Sequence, residues 1–328
     1  MRVMLTLAPD RLDVLRDRVA ACEAAGIDAI GIGDSPGYHD PYVALTVAAQ
    51  APGRARLGPM VTNVVTRAPQ VTARALRSVE ELAPGRVFAG MGAGDSALAG
   101  ARAAPAGLAG FRAGLRDLRE AWPAAAAPAV QPWRVVVVAN GPRTLALGGA
   151  EADLVVSGAG IAPDAVHRAR QAVATGAAAA GRAADSVPVW VVARVSIADD
   201  ARAAVDELLP LLASGANHVF AVRAERDALA PDVAERVDRL RRGYDYGTHG
   251  RRTGNPNAGL VDDLGLRDVL AARFALAGPA DRVADGLRGL AAEGVAGVVI
   301  PAVGLDVDRL IGRLGDEVLP RLRGRIAP

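Results

Sequence analysis

Apolar residues along the chain follow two alternating patterns. In short runs they stand side by side and are rich in Val and Ile, whereas in longer stretches they recur every three or four positions. Short continuous runs are typical of parallel strands buried on both faces, and the wider spacing is typical of helices with one buried face. The runs predict strands at residues 1–7, 29–33, 57–63, 87–92, 134–139, 154–157, 187–195 and 295–300. The longer stretches predict helices at residues 10–24, 41–49, 69–82, 108–121, 163–174, 199–213 and 306–322, and a further helix that begins at Pro142.

Eight predicted strands that alternate with helices indicate parallel β/α units. Eight is also the number of strands that closes a TIM barrel. Residues 217–276 are too long for one crossover helix, so they predict extra helices between strands 7 and 8. We therefore predict an α/β fold, a (β/α)8 TIM barrel that forms a single domain over residues 1–328, with a helical insertion at residues 217–276.

The composition narrows the possible chemistry. Hydrophobic residues make up 51% of the chain, enough for a large core, but aromatic residues only 3%. The core must therefore consist of Ala, Val and Leu, with Trp122, Trp133 and Trp190 expected in packing roles. All 38 basic residues are arginines, which excludes a lysine Schiff base and a P-loop lysine. The single cysteine, Cys22, excludes an internal disulfide and cysteine-based zinc or iron–sulfur sites, and no metal site is expected.

Charge and hydropathy exclude two classes of partner. The net charge is only +2, and no basic stripe with interleaved aromatics stands out, so no nucleic-acid partner is expected. No apolar stretch approaches about 18 residues, so no membrane span is expected either. The apolar run at the N-terminus ends at Pro9 and is too short for a signal peptide. Together with the single cysteine, this favours a cytoplasmic location.

The candidate site lies where the predicted strands end, because active sites of TIM barrels form at the C-terminal ends of the strands. These ends are small, rich in glycine and weakly polar, which suits a flat aromatic cofactor approached closely by backbone. Tight turns alone would explain each of these glycines equally well. The residues concerned are Asp34, Ser35, Tyr38 and His39 after strand 2, Thr62 and Asn63 after strand 3, Gly92, Ala93, Gly94 and Asp95 after strand 4, Asn140 after strand 5, and Ser157, Gly158, Ala159 and Gly160 after strand 6.

Two of these glycine-rich segments invite a comparison with phosphate-binding motifs. Gly90, Gly92 and Gly94 form GxGxG rather than GxGxxG, and no strand with an acidic end follows about 20 residues later, so a Rossmann fold is rejected. Residues 157–160 precede a helix that begins near residue 163, where free backbone amides would hold a phosphate. An ordinary loop is the alternative interpretation of this segment.

Longer segments carry a resemblance to a known family. They are AIGIGDS at 29–35, LGPMVTN at 57–63 with TRAP at 66–69, PGRVFAGMGAGDS at 84–96, ANGPRT at 139–144, FALAG at 274–278 and VVIP at 298–301. On these segments the chain resembles the luciferase-like monooxygenase superfamily, and within it the reductases that use the deazaflavin coenzyme F420, such as the methylenetetrahydromethanopterin reductases. The resemblance covers most of the chain except residues 97–130.

The resemblance implies roles for individual residues. Asp34 would lie beside the cofactor ring, and Asp95 would take the place of an acidic proton donor. Many relatives carry His directly after the strand-2 Asp, but here Ser35 stands there, so His39 is the nearest candidate acid. A surface histidine on a flexible loop is the alternative interpretation of His39. A cis peptide bond is expected between Met60 and Val61, behind the ring. The cofactor-binding residues would be Asp34, Met60, Val61, Thr62, Asn63, Gly92, Ala93, Gly94 and Asn140, with Ser157, Gly158, Ala159 and Gly160 at the phosphate.

Three hypotheses of function follow. In the first, reduced F420 delivers a hydride to a small imine, enone or carbonyl substrate. In the second, reduced FMN activates oxygen for monooxygenation, and in the third the protein is a non-catalytic member of the fold with a decayed site. By resemblance, a homodimer or higher homo-oligomer is expected.

Some polar residues remain without a clear role in these hypotheses. The Arg- and Tyr-rich segment 241–252 would form a lid over the anionic F420 tail, or else a solvated loop or subunit contact. His167 and His218 are expected to be structural. The four tyrosines Tyr38, Tyr42, Tyr244 and Tyr246 fall in two regions expected to rim the pocket.

Overall fold

The computed structural model describes residues 1–35, 37–94, 98, 101, 103–123, 133–248, 251 and 253–324. The strands of this part of the chain are β1 (Arg2–Leu7), β2 (Ala29–Ile32), β3 (Arg56–Pro59), β4 (Ala89–Met91), β5 (Val135–Ala139), β6 (Leu154–Ser157), β7 (Val189–Val192), β8 (Arg194–Ile197), β9 (Ala275–Gly278) and β10 (Gly297–Pro301).

The helices of the described residues fill the connections between these strands. They are α1 (Leu12–Ala25), α2 (Pro41–Ala49), α3 (Pro69–Leu82), α4 (Leu108–Ala121), α5 (Pro142–Glu151), α6 (Pro163–Ala179), α7 (Ala201–Val219), α8 (Arg223–Arg226), α9 (Pro231–Gly243), α10 (Pro256–Asp263), α11 (Arg267–Phe274), α12 (Ala280–Ala292), α13 (Val307–Arg313) and α14 (Leu319–Leu322). A 3-10 turn at Tyr246–Thr248 and a π-helical turn at Leu314–Val318 complete them.

Eight of the strands form one parallel sheet in the order β3-β2-β1-β10-β7-β6-β5-β4. The two edge strands of this order meet through isolated parallel bridges, Leu57 with Val87 and Thr62 with Met91. The sheet is therefore nearly closed into a barrel with helices between the strands. The predicted α/β TIM barrel is confirmed, and the bounds predicted for α2, α3, α4 and β6 agree with the structure.

The connection between β7 and β10 differs in detail from the prediction. The predicted strand 187–195 is two strands, because Ala193 interrupts it between β7 and β8, and β8 pairs in parallel with β9. The sequence did not predict β9, because its residues Ala275–Gly278 (ALAG) include no β-branched residue. Helices α7, α8, α9, α10 and α11 lie between β8 and β9, so the extra helices are present as predicted. The predicted bounds 217–276 differ from the structure, because residues 217–219 end α7 and residues 275–276 begin β9. The assignment of residues 1–328 to one domain stays a prediction.

Three of the aromatic side chains form a cluster inside the barrel. The ring of Trp133 lies 5.2 Å from that of Phe88 and 5.6 Å from that of Trp190, and the Arg56 guanidinium stacks 4.3 Å above Trp133. Phe88 and Trp133 come just before β4 and β5, and Trp190 is the second residue of β7, so this cluster fills the N-terminal end of the barrel. Trp122 is buried outside the barrel. The predicted packing roles of the three tryptophans are confirmed.

Candidate functional site

The chain changes direction sharply at the C-terminal end of β3. The peptide bond between Met60 and Val61 is cis, as predicted, and Thr62 then pairs with Met91 at the end of β4. The Met60 side chain packs on the backbone of Gly31, where a Cβ atom would lie 2.4 Å from Met60 Cβ. Glycine at position 31 therefore leaves the space that the Met60 side chain occupies.

Two cavities open at this mouth and share Asp34 and Val61. The larger, of about 780 Å³, is bounded by the residues that follow β3, β4 and β5 and by residues 222–224. The smaller, of about 290 Å³, is bounded by the ends of β1, β2 and β10, by β8 and by one face of α7. A group in the larger cavity and a group in the smaller one would therefore both contact Asp34 and Val61.

The structure brings eight of the thirteen predicted cofactor-binding residues together around the larger cavity. Met60 lines the smaller cavity, with Asp34 and Val61 common to both. The four residues that follow β6 line neither of the two. The eight are Asp34, Val61, Thr62, Asn63, Gly92, Ala93, Gly94 and Asn140.

Ser157, Gly158, Ala159 and Gly160 are buried behind the cavity wall. The Gly158 amide donates to Ala139 O at 3.0 Å, and the Ala159 amide to Ser157 Oγ at 3.3 Å. A Cβ atom on Gly158 would lie 2.2 Å from Oδ1 of Asn140. This loop therefore supports the larger cavity through Asn140, and its role at a phosphate stays a prediction.

Asp34 is the acidic group at the junction of the cavities. The Thr62 hydroxyl donates to Asp34 Oδ2 at 2.8 Å, which holds the carboxylate in place. Burial raises the pKa of Asp34, an effect that the Thr62 hydrogen bond and the Arg67 charge oppose and that nearby Asp40 reinforces. Asp34 therefore keeps its proton to a higher pH than an exposed aspartate does, which suits proton exchange with a neighbouring molecule.

The other two predicted catalytic residues are placed differently. Asp95 lies outside the described residues. His39 is exposed and lines neither cavity, and its backbone amide donates to Pro9 O at 3.0 Å. Ser35, the residue that replaces the family histidine, lines the smaller cavity.

The sequence did not predict most of the smaller cavity. Arg194 reaches it from β8, Ser214 and His218 from α7, and Arg251 from the segment 241–252. His218 was expected to be structural, but it lines the cavity, with its Nδ1 at 3.4 Å from the Ser214 hydroxyl. A signal was available in the spacing of residues 207, 211, 214 and 218, which puts polar Glu, Ser and His on the same face of one helix as Leu.

Fewer of the four tyrosines lie at the rim of the site than the sequence predicted. Tyr38 lines the smaller cavity, but Tyr42 is buried in α2. The rings of Tyr244 and Tyr246 pack edge to face at 5.1 Å, and the Tyr246 hydroxyl accepts a hydrogen bond from Asn217 at 2.8 Å. The part of 241–252 that reaches a cavity is Arg251, at the smaller one. The expected role of segment 241–252 as a lid over a cofactor tail therefore has no support among the described residues.

A buried ion pair joins the insertion to the barrel. Glu225 of α8 and Arg273 of α11 are 4% and 8% exposed, and their side chains are in direct contact. Arg273 Nε also donates to Ala159 O at 2.7 Å, and Arg168 of α6 reaches Glu225 at 3.0 Å. The pair thus ties α8, which bounds the larger cavity, to the loop after β6.

The described residues contain neither a membrane-spanning helix nor a cluster of metal-binding side chains. No helix there is long and apolar enough to cross a membrane. Nor do three or more His, Cys, Asp or Glu side chains of those residues come together as they would around a metal ion. His167, expected to be structural, is exposed on α6 and lines neither cavity.

The chain is similar to several known proteins over most of its length. Residues 2–297 match the family model described as luciferase-like monooxygenase. The 5,10-methylenetetrahydromethanopterin reductase of Methanopyrus kandleri is 25% identical over 97% of both chains. The solved structure of the coenzyme F420-dependent tetrahydromethanopterin reductase from that organism covers 98% of this chain and 99% of its own, with a TM-score of 0.72 and 22% identity.

Two further solved structures share the fold. An F420-dependent secondary alcohol dehydrogenase, in complex with an F420–acetone adduct, has a TM-score of 0.72 at 14% identity and covers 98% of this chain and 99% of its own. The EDTA monooxygenase of Chelativorans sp. BNC1 has a TM-score of 0.66 at 18% identity and covers 99% of this chain and 94% of its own.

Proposed function

Because the chain belongs to the luciferase-like monooxygenase family, we propose that this oxidoreductase binds coenzyme F420 in the larger cavity and reduces a small organic substrate in the smaller one. The observation that carries the proposal is the pair of cavities that meet at Asp34 and Val61. A reduction needs two molecules in contact at one point, and this junction offers such a point beside a carboxyl group.

The walls of the larger cavity suit a flat cofactor. A Cβ atom on Gly92 would lie 2.9 Å from Val61 Cγ2, so a side chain there would crowd the wall beside the cis peptide. Asn63 holds its own loop, since its Oδ1 accepts hydrogen bonds from the amides of Val65 and Thr66, both at 2.9 Å. These contacts keep backbone at the surface of the cavity, where it can approach a ring closely.

Two arginines favour F420 over FMN. Arg143 and Arg223 are exposed where the larger cavity opens. Coenzyme F420 ends in a phosphodiester and a polyglutamate chain, and guanidinium groups bind phosphates and carboxylates well. FMN has only a phosphate beyond its ribityl chain, so it would need fewer such contacts.

When bound, reduced F420 supplies a hydride equivalent to an electrophilic carbon of an imine, enone or carbonyl. The substrate must also gain a proton, and we assign its exchange to Asp34, held by the Thr62 hydroxyl. Val61 and Met60 would separate the two molecules from the barrel interior and exclude water on that side. The resemblance also gives Asp95 a role in proton donation, which stays a prediction.

Reconstitution tests this function. The purified protein is titrated with F420 and with FMN, binding is followed by cofactor fluorescence, and oxygen uptake is measured with each reduced cofactor. We expect F420 to bind at low micromolar concentration, with no oxygen uptake. Oxygen uptake with reduced FMN, together with tighter FMN binding, would instead establish the monooxygenase. Failure to bind either cofactor at tens of micromolar would favour the non-catalytic protein.

A double variant tests the tail contacts. Arg143→Ala with Arg223→Ala is expected to weaken F420 binding about tenfold or more, because two charge-assisted contacts are lost, and to change FMN binding much less. The control is Arg74→Ala with Arg77→Ala, two exposed arginines of α3 that line neither cavity. Equal losses for F420 and FMN would contradict a role in holding the tail.

The location and assembly of the protein stay proposals as well. We propose a cytoplasmic homodimer or higher homo-oligomer, in keeping with the resemblance. Light scattering after size-exclusion chromatography measures the assembly, and a monomer at micromolar concentration would contradict it.

A further inference from the structure

Arg194 is a buried charge beside the smaller cavity. It is the first residue of β8, its side chain is 8% exposed, and it lines the cavity together with Ser214 and His218. Its Nε atom donates to Leu211 O at 2.9 Å, and its guanidinium lies 4.7 Å from the centre of the Phe274 ring. These contacts hold the side chain in one place.

No carboxylate among the described residues neutralises Arg194. Its Nη1 atom is buried without a hydrogen-bond partner in that part of the chain. Burial lowers the pKa of Arg194 to about 10, with no acidic neighbour to oppose the shift, so the group stays charged at neutral pH. A buried charge without a partner costs free energy. Its presence at a cavity therefore indicates that a ligand supplies the partner.

One acidic side chain of the cavity wall, Glu207, is already engaged. Glu207 accepts a hydrogen bond from the Ser196 hydroxyl at 2.5 Å and pairs with Arg309 on its other oxygen. Arg251 adds a further cation to the lining of the same cavity. The guanidinium groups of Arg194 and Arg251 therefore favour a ligand with a negatively charged group.

The rest of the wall is apolar and the space is small. Met60, Val61, Val192, Pro301 and Val303 face this cavity, and its volume of about 290 Å³ lies at the lower end of ligand pockets, roughly 300–1,000 Å³. Such a space suits a short hydrocarbon body with one polar end. A planar carboxylate matches the donor geometry of a guanidinium.

We propose that the substrate of the smaller cavity is a small organic acid whose carboxylate pairs with Arg194 and whose apolar body lies against Met60 and Val61. This inference rests on the proposed function, in which the smaller cavity holds the substrate. Through Arg194, the protein would select acids over neutral molecules of the same shape, because only a charged group compensates the buried guanidinium.

A matched pair of probes tests this in the wild-type protein, without any variant. Binding of trans-2-hexenoate and of its amide, trans-2-hexenamide, is measured by titration calorimetry at pH 7, with and without bound F420. We expect the acid to bind at least tenfold more tightly than the amide, because charge-assisted hydrogen bonds to a desolvated guanidinium exceed neutral ones. Equal affinities, or no binding of the acid, would overturn the proposal.

The variant Arg194→Met then locates the effect. It keeps the unbranched stem and removes the charge, so we expect the acid to bind no better than the amide while F420 affinity stays unchanged. The control Arg202→Met removes an exposed guanidinium at the start of α7 that lines neither cavity, and it should keep the preference for the acid. An acid preference that survives Arg194→Met contradicts the assignment.

Two further measurements complete the test. The first distinguishes a structural role of Arg194 from a role in ligand binding, and the second distinguishes this proposal from the proposed function. If Arg194 serves the ligand rather than the fold, Arg194→Met should not lower the thermal unfolding midpoint of the ligand-free protein. A large drop would show a structural role and overturn the proposal. If F420 binds but the acid is not preferred over the amide, the proposal of a small-acid substrate is refuted and the proposed cofactor is not. If the acid is preferred but F420 does not bind, the proposed cofactor is refuted and the small-acid substrate is not.

Discussion

The two cavities at the barrel mouth are built in different ways. The larger is walled chiefly by backbone and small side chains at the ends of β3, β4 and β5, such as Gly92 and Asn140. The smaller is walled by long side chains from β8, α7 and the insertion, among them Arg194 and His218. Among the described residues, only Asp34 and Val61 belong to both. In the proposed function, the larger cavity therefore offers a general surface for a shared cofactor, while the smaller one selects a particular substrate.

The largest expected effect comes from the group that both cavities share. Asp34→Asn removes the proton that the junction exchanges, so we expect kcat to fall by about 10²–10⁴-fold. The Asn side chain can still accept the Thr62 hydrogen bond, so the affinities for F420 and for trans-2-hexenoate should change little. The control Asp17→Asn, exposed on α1, should leave kcat unchanged. A normal kcat in Asp34→Asn would show that Asp34 does not exchange the proton in the reaction.

The next effect concerns the buried pair behind the larger cavity. Glu225→Gln leaves Arg273 with Asp164, at 3.3 Å, as its remaining carboxylate partner among the described residues, so we expect the free energy of unfolding to fall by about 1.5–3 kcal/mol, measured by urea denaturation. The control is Asp285→Asn, which breaks a pair whose side chains are 70% and 49% exposed and should cost below about 1 kcal/mol. Similar losses in the two variants would show that the pair does not hold α8 against the loop after β6.

A smaller substitution should affect the larger cavity alone. Gly158→Ala places a methyl group 2.2 Å from Asn140 Oδ1, which is too close for both atoms, so the Asn140 side chain must move. We expect F420 affinity to fall about tenfold, in line with the loss of one well-placed contact, and hexenoate affinity to stay the same. Gly259→Ala in α10, where an added Cβ meets no atom within 4 Å, is the control. A parallel loss of hexenoate binding would mean that the cavities are not independent.

The smallest effect is the pH dependence of stability at the junction. Burial raises the pKa of Asp34 in the folded protein above its ordinary value of 3.8. At pH values between 3.8 and the raised pKa, the folded protein therefore binds more protons than the unfolded chain. Wild-type stability should therefore fall relative to Asp34→Asn as pH rises through this window, and the difference should level off above it. Urea denaturation of both proteins from pH 3.5 to 8 measures this. A wild-type protein that gains stability relative to Asp34→Asn as pH rises would mean that the pKa is lowered instead.

Prediction from sequence succeeded where the signal is local. Continuous apolar runs predicted the eight barrel strands, and Pro at the first position of α2, α3 and α5 marked where these helices begin. The missed strand β9 is four residues long and has no β-branched residue, and its pairing with β8 joins residues about 80 positions apart. Such a pairing leaves no periodic signal in either segment.

The same distinction holds for the candidate site. Residues at strand ends share one end of a parallel barrel by topology alone, so the sequence by itself determined the fold and most of the wall of the larger cavity. The residues after β6 follow the same rule, but the tertiary structure buries them behind Asn140. The smaller cavity depends on how α7 and the insertion pack over the barrel, which no local pattern encodes. Only the tertiary structure, therefore, placed Arg194, His218 and Arg251 around one space and left a buried charge there for a ligand to neutralise.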